Sequence, residues 1–367
     1  MKVLVLGGTG AIGSHLVAIL AANKENDIVV TSRRERQGAT NVKYATGDAH
    51  DTGFVSALLV NGFDVIVDFM SYKTDEFRKR CSLYLNACQQ YVFLSSARVY
   101  ADNGTKPITE ESSLLLDTIS NHAYLQTDEY ALTKARQENI LRSSKRKNYT
   151  IVRPYITYSE NRLQLGVLEK EYWLYRVLQG RSIVFSEDIA NKMTTLTYGM
   201  DVSKAICALL GRQEALGEAF HITGENPIRW SDVLSLYCNV IVRELGFMPK
   251  VVMTQRSIRL RYPEAKWQVL YDRYFNRVFD NTKISRFYNI NDFVTPQEGL
   301  DKCLTSFLHR PFFNTLNWKE EACYDYICGE KVSTSENVGR QYMLYRYLPW
   351  LVVFDRVRQA VKMVLKG

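Results

Sequence analysis

Lys2-Val3-Leu4-Val5-Leu6-Gly7-Gly8-Thr9-Gly10-Ala11-Ile12-Gly13-Ser14 follows the initial methionine. Residues 2–6 are an apolar run with two β-branched valines and no proline, which predicts a buried strand. His15-Leu16-Val17-Ala18-Ile19-Leu20 predicts a helix. Between them, Gly7 to Gly13 makes a turn whose missing Cβ atoms let a pyrophosphate approach the backbone. The N–H groups at the helix start then face the anion, and the helix dipole favours it. A glycine turn that binds nothing is the plainer reading. The register with a strand before and a helix after favours the phosphate loop.

The 367 residues allow one large α/β domain with a second lobe. An apolar fraction of 46% is ordinary for a chain with a sizeable core. The formal charge of +8, from 47 Lys and Arg against 39 Asp and Glu, suits anionic substrates and points only weakly to nucleic acid. The seven cysteines contain no C-x-x-C pair and no His spacing of a zinc site, so no metal is expected. An odd, scattered set reads as reduced thiols in the cytoplasm. Met1 leads straight into an expected core strand, so no secretory signal is expected, and no 18-residue apolar run is present to span a membrane.

Asp27-Ile28-Val29-Val30-Thr31 predicts the second strand, and Ser32-Arg33-Arg34 follows it. In a dinucleotide-binding fold this position faces the adenosine ribose: an acid there marks NAD, and Arg accommodates the 2′-phosphate of NADP. A hydroxyl and two arginines stand here, so NADP(H) is expected over NAD(H), with one arginine left open as a solvated loop charge. Asn41–Thr46 predicts a third strand closed by Gly47-Asp48-Ala49, where Asp48 can accept from the adenine amino group. Asp64–Phe69 predicts a fourth, whose end brings Phe69 and Met70 to the cofactor. Residues 75–89 predict a helix carrying Cys81 and Cys88 on one face. A fifth strand, Tyr91–Ala97, carries Ser95 and Ser96 at the carboxyl end where ligands gather in open α/β sheets. Residues 100–126 read as a loop.

Tyr130-Ala131-Leu132-Thr133-Lys134 places a phenol and an ammonium on one helix face. The ammonium favours phenolate, which tunes the tyrosine as a general acid or base toward an alcohol or ketone. Ser96 can hydrogen-bond the same oxygen. By itself Y-x-x-x-K is common and reads equally as a surface pair. Its strength comes from following the glycine loop, the arginine turn and the Ser-Ser strand end in this order.

These stretches, with Ile151–Tyr158 (IVRPYITY), Thr195–Ala205 (TLTYGMDVSKA), Phe220–Asn226 (FHITGEN) and Phe279–Phe287 (FDNTKISRF), resemble the extended branch of the short-chain dehydrogenases/reductases, which acts largely on nucleotide sugars. The resemblance covers about residues 1–310. It implies a Rossmann-like, doubly wound α/β parallel sheet with a smaller C-terminal α/β substrate lobe. It further implies Ser96, Tyr130 and Lys134 as catalytic residues, Pro154 against the nicotinamide, and a homodimer. Val67-Asp68-Phe69-Met70-Ser71 departs from the branch's H-x-A-A strand ending. Thr194 stands where an Arg often grips the substrate diphosphate, a task open to Arg162 or Lys192. Residues 220–233 also resemble atypical relatives, among them RNA-associated plastid proteins.

The expected organisation is a dinucleotide-binding domain over 1–160, rejoined by 181–206, a substrate lobe mainly over 161–310, and a helical extension over 311–367. In the lobe, Tyr172, Trp173, Tyr175 and Arg176 read either as a base-stacking, phosphate-holding face or as core. Lys250–Arg286, with nine Lys or Arg against three acids and interleaved aromatics, reads either as a diphosphate-sugar lid or as a solvated face. Residues 350–366 predict a basic amphipathic helix that docks on protein or contacts an anionic membrane. The function expected first is an NADPH-dependent reductase of a nucleotide-linked keto-sugar. A 4-epimerase with tightly bound NAD is the alternative, and a non-catalytic cofactor-sensing or RNA-binding protein is a third.

Overall fold

Seven of the β-branched runs pair into a single parallel sheet in the computed structural model, which describes residues 1–261, 265–332 and 340–348. The strands are β1 (Lys2–Leu6), β2 (Asp27–Ser32), β3 (Val42–Thr46), β4 (Phe63–Asp68), β5 (Cys88–Leu94), β6 (Tyr149–Pro154) and β7 (Ala219–Ile222). Their lateral order is β7-β6-β5-β4-β1-β2-β3. The order reverses between β4 and β1, and a crevice opens at such a point beyond the strands' carboxyl ends. Five helices accompany the sheet: α1 (Gly13–Ala22), α2 (Thr52–Leu59), α3 (Thr74–Asn86), α4 (Tyr130–Arg142) and α5 (Gly199–Leu209).

Alternation within β1 explains the two layers of core. Val3 and Val5 pack on one face with Leu16, Val17, Val202 and Ile206 from α1 and α5. Leu4 and Leu6 pack on the other with Val55, Phe77, Tyr84 and Leu141 from α2, α3 and α4. Both faces are covered, so the strand has no polar side and reads as a continuous apolar run.

Two local expectations are corrected. The helix predicted over 75–89 stops at Asn86, and Cys88 already belongs to β5, so Cys81 and Cys88 do not share a helix face. Strand pairing of Cys88 with Phe63 and the burial of Gln90, whose amide donates to Thr150 Oγ1 at 2.9 Å and to the Leu209 carbonyl at 3.0 Å, outweigh the helical pattern. The loop over 100–126 contains two single helical turns, Leu115–Thr118 and His122–Leu125, the second capped by Asn121 accepting from Tyr124 N–H.

The chain divides into two compact units. The first holds residues 1–159, 195–227 and 277–296 and contains the sheet. The second holds residues 160–194, 228–276 and 297 onward. The return expected over 181–206 therefore begins only at Thr195, because Ile183–Ser186 pairs in parallel with Val251–Thr254 inside the second unit. In that unit Trp173 stacks on Tyr237 with centroids 4.5 Å apart, which makes Trp173 core. Arg176 is fully buried and donates to Glu321 (3.1 Å), Asp325 (2.8 Å) and Glu330 (3.0 Å), so it is not available to hold a phosphate. The basic stretch 250–286 is not one solvated face: Arg273 and Arg277 are buried and donate to the carbonyls of Gly166 and Ala101. Helices Trp318–Cys328 and Arg340–Tyr347 form the C-terminal region, and the amphipathic helix expected over 350–366 lies outside the described residues.

Candidate active site

β1 carries the glycine loop to the carboxyl edge of the sheet, where Gly7 N–H donates to Thr31 Oγ1 at 3.0 Å and ties the loop to the end of β2. A Cβ on Gly13 would lie 2.7 Å from the Cα of Gly8, so α1 can start this close to the loop only without one. A Cβ on Gly10 would meet nothing within 4 Å; the loop there faces open space. Thr9 and Gly10 are exposed, and Ala11 is half-buried. Ile12, the N-cap of α1, makes no side-chain capping bond, and the Ser14 N–H turns back to the Gly10 carbonyl at 3.0 Å. An open backbone concavity before an uncapped helix fits a dinucleotide pyrophosphate. From behind, Ser203 Oγ of α5 donates to the Ile12 carbonyl at 2.9 Å, and Gly199 comes so near the Ala11 carbonyl that a Cβ would lie 2.5 Å away.

The end of β2 buries Ser32, whose Oγ donates to the Arg34 carbonyl at 2.7 Å, while Arg33 and Arg34 are exposed. After β3, Asp48 is exposed and accepts from His50 N–H at 2.9 Å. Buried Ala49 gives its carbonyl to Arg80 at 3.3 Å.

The ends of β4 and β5 meet α4. Lys134, 3% exposed, sends Nζ to the carbonyls of Leu94 at 2.7 Å and Met70 at 3.3 Å. Met70 in turn reaches the loop, its Sδ lying 2.9 Å from the place a Cβ on Gly7 would take. Burial pushes the Lys134 ammonium down to about 8, against the pull of Asp68 and Glu138. Nζ lies 6.0 Å from the centre of the Tyr130 ring, and Tyr130 is 41% exposed. Ser96 is buried just past β5, and its Oγ accepts from Arg98 N–H at 3.2 Å. The Arg98 guanidinium then lies 5.6 Å from the Tyr130 ring centre and pairs with Glu129 at 2.6 Å. Glu129 is the N-cap of α4 and accepts from Ala131 N–H at 2.8 Å, so one carboxylate orients both the helix and Arg98.

Ser96, Tyr130, Lys134, the glycine loop, Phe69, Met70 and Pro154 thus belong to one unit. Arg162 and Lys192 belong to the other, where Arg162 pairs with Glu169 at 3.5 Å. Three participants escaped the sequence reading. Asp68 is wholly buried at the end of β4; an acid closing an apolar strand was the available signal. Arg98 is the second, brought to Tyr130 through its pair with Glu129. Glu138, one turn after Lys134, is buried in a bidentate pair with Arg153 (2.9 and 2.5 Å) and accepts from Ser95 Oγ at 2.5 Å.

Residues 3–223 match the model of the NAD dependent epimerase/dehydratase family. The chain is 28% identical over 254 residues to the chloroplast stem-loop binding protein of 41 kDa b from Arabidopsis thaliana, covering 65% of this chain and 62% of that one. It is 34% identical over 137 residues to a UDP-glucose 4-epimerase from Lactobacillus helveticus, covering 31% of this chain and 41% of that one. It thus spans less than two thirds of the curated relatives it matches. The fold is similar to that of a dTDP-glucose 4,6-dehydratase from Bacillus anthracis in complex with NAD, with a TM-score of 0.64 at 17% identity over 84% of this chain and 97% of that one. A UDP-glucuronic acid 4-epimerase from Bacillus cereus in complex with NAD gives a TM-score of 0.62 at 16% identity over 84% and 99%.

Proposed function

The chain belongs to the NAD dependent epimerase/dehydratase family, and from that premise we propose that it is a reductase of a nucleotide-linked keto-sugar that uses NADPH. The observation that carries the chemistry is the buried Lys134 ammonium, bonded to the carbonyls at the ends of β4 and β5, one helical turn from Tyr130. Gly7 to Gly13 would hold the pyrophosphate, Ser32, Arg33 and Arg34 the adenosine ribose and its phosphate, Asp48 and Ala49 the adenine, and Phe69, Met70 and Pro154 the nicotinamide side. The bound dinucleotide supplies the two-electron redox chemistry.

The residues of the chain handle the proton and the orientation. Tyr130 gives its phenolic proton to the carbonyl oxygen. Two of the three donors of Lys134 Nζ are used on protein carbonyls, and its charge favours the phenolate left behind. Ser96 Oγ accepts from Arg98 N–H, and its own proton would be given to the substrate oxygen. Arg162 and Lys192 are proposed substrate diphosphate ligands. The NADPH preference is supported by the exposed Arg33 and Arg34 at the end of β2 and the lack of an acid there. A homodimer has a candidate surface in the groove of about 670 Å3 between α3 and α4, lined by Cys81, Leu85 and Ile140 and rimmed by Arg78, Arg136 and Arg146.

The likeness to UDP-glucose 4-epimerases favours a second reading, in which the same residues oxidise and re-reduce one carbon. Titration with NADPH and NADH, then with UDP-, dTDP- and GDP-linked keto-sugars while following absorbance, separates them. Reversible NADPH binding with stoichiometric oxidation supports the reductase; NAD retained through dialysis supports the epimerase. Binding of neither dinucleotide overturns both, and a stem-loop RNA bound in its place supports the behaviour named for the Arabidopsis relative. Tyr130→Phe is expected to abolish turnover with cofactor affinity nearly intact.

A further inference from the structure

Asp68 has no role in the chemistry above, yet it closes β4 beside the residues that have one. It is wholly buried, as is Lys134 to within a few per cent. Lys134 Nζ donates to the Met70 carbonyl at 3.3 Å, and Met70 N–H donates to Asp68 Oδ1 at 2.9 Å, so one residue is gripped by both charges. We propose that Asp68 is the counter-ion that keeps Lys134 charged, and so a positioning residue for the Tyr130–Lys134 pair; this rests on the catalytic reading of that pair.

The hydrogen-bond donors around Asp68 favour the carboxylate form. Tyr91 OH donates to Oδ2 at 2.7 Å, and Tyr72 OH donates to Oδ1 at 3.3 Å beside the Met70 N–H. All three are donors, and an ionised carboxylate only accepts. The Tyr72 hydroxyl, its proton committed to Asp68, accepts from Tyr84 OH at 3.0 Å. Tyr84 faces Arg80, whose guanidinium also lies 5.4 Å from the Tyr72 ring centre. Two phenols therefore relay one cation to Asp68 on the α3 side, and Lys134 stands on the α4 side. Burial holds the Asp68 carboxyl above the usual carboxylate range, and Tyr91, Met70 N–H, Lys134 and Tyr72 pull against it. The other ionisable groups facing Lys134 are Glu138, already engaged by Arg153, and Tyr130, which also faces Arg98. Asp68 is thus the carboxylate beside Lys134 whose charge no arginine contacts directly among the described residues.

The test is a titration of Lys134 by 13Cε-lysine NMR, with its signal assigned by its loss in Lys134→Arg. In Asp68→Asn the midpoint is expected to fall by at least about one pH unit, and the alkaline limb of the pH–rate profile to fall with it. An unmoved midpoint overturns the proposal. A midpoint that falls in a protein with no activity on any keto-sugar leaves the counter-ion in place and removes the catalytic reading. Should Asp68→Asn fail to fold, the 13Cγ signal of Asp68 in the unaltered protein decides: an ionised carboxylate at pH 7 supports the proposal, and a protonated one overturns it.

Discussion

His221, buried in β7, is held as a neutral ring by its partners. Nε2 meets the Asp280 carbonyl at 2.6 Å, which can only accept, so Nε2 carries the proton. Nδ1 then accepts from Tyr100 OH at 3.3 Å, and the Tyr100 oxygen accepts from Arg153 Nη1 at 2.8 Å. Burial pushes His221 down to about 4, with Arg153 and Lys283 acting in the same direction and Asp280 against it. The unfolded chain takes up its proton near pH 6.5. Between pH 6.5 and about 4 the unfolded state therefore binds more protons than the folded one, and stability falls as the pH falls. The full effect is about 3 kcal/mol. His221→Gln should flatten this slope, as read by urea denaturation at pH 7 and pH 4.5. An equal loss of stability at both values would place the acid sensitivity elsewhere.

At the scale of the element, the glycine loop separates two functions that the sequence shows as one motif. Gly13 is glycine for packing, because its Cβ would meet the Gly8 backbone; Gly13→Ala should destabilise the fold by about 1–3 kcal/mol. Gly10 is glycine where nothing crowds it. Gly10→Ala should leave the melting temperature within a degree or so while weakening dinucleotide binding tenfold or more, about 1.4 kcal/mol. Parallel losses of stability and binding in Gly10→Ala would argue against a ligand at that position. The strand–turn–helix pattern was legible because apolar periodicity and missing side chains are local properties. The end of the helix at Asn86 was not, because it is set by the pairing of Cys88 with a strand that begins at Phe63. Asp68 and Glu138 were equally hidden: a charge deep in a core is explained only by partners brought from elsewhere in the chain.

Across the whole molecule, the second unit depends on buried charges, of which the sequence singled out only Arg176, readable either as part of a phosphate-holding face or as core. Arg176 and Arg181 are buried against Glu321 and Asp325 of the helix Trp318–Cys328, and Tyr342 OH donates to Asp325 at 2.6 Å. Arg176→Leu would leave carboxylates buried with too few partners, a loss of about 3–5 kcal/mol. Thermal melting of the variant measures it, and an unchanged melting temperature would mean the cluster adds nothing net. Burial pushes Glu321 up to about 7. Here the sign is opposite to that of His221. Between about pH 4.5 and 7 the folded state holds the extra proton, so this carboxyl makes the protein less stable as the pH rises through that window.

The clamp of α5 on the glycine loop also bears on how the protein is made. Ser203 is bonded to the Ile12 carbonyl across 191 positions of chain, and Gly199 lies against Ala11. During synthesis the loop leaves the ribosome well before the helix that braces it, which follows about 190 positions later in the chain. A nascent chain cut short of α5 can form β1 and α1 and still lack the backing that fixes the Ile12 carbonyl. On the proposed reading, dinucleotide capture by ribosome-bound chains of increasing length should therefore begin only after α5 has emerged, long after the loop itself.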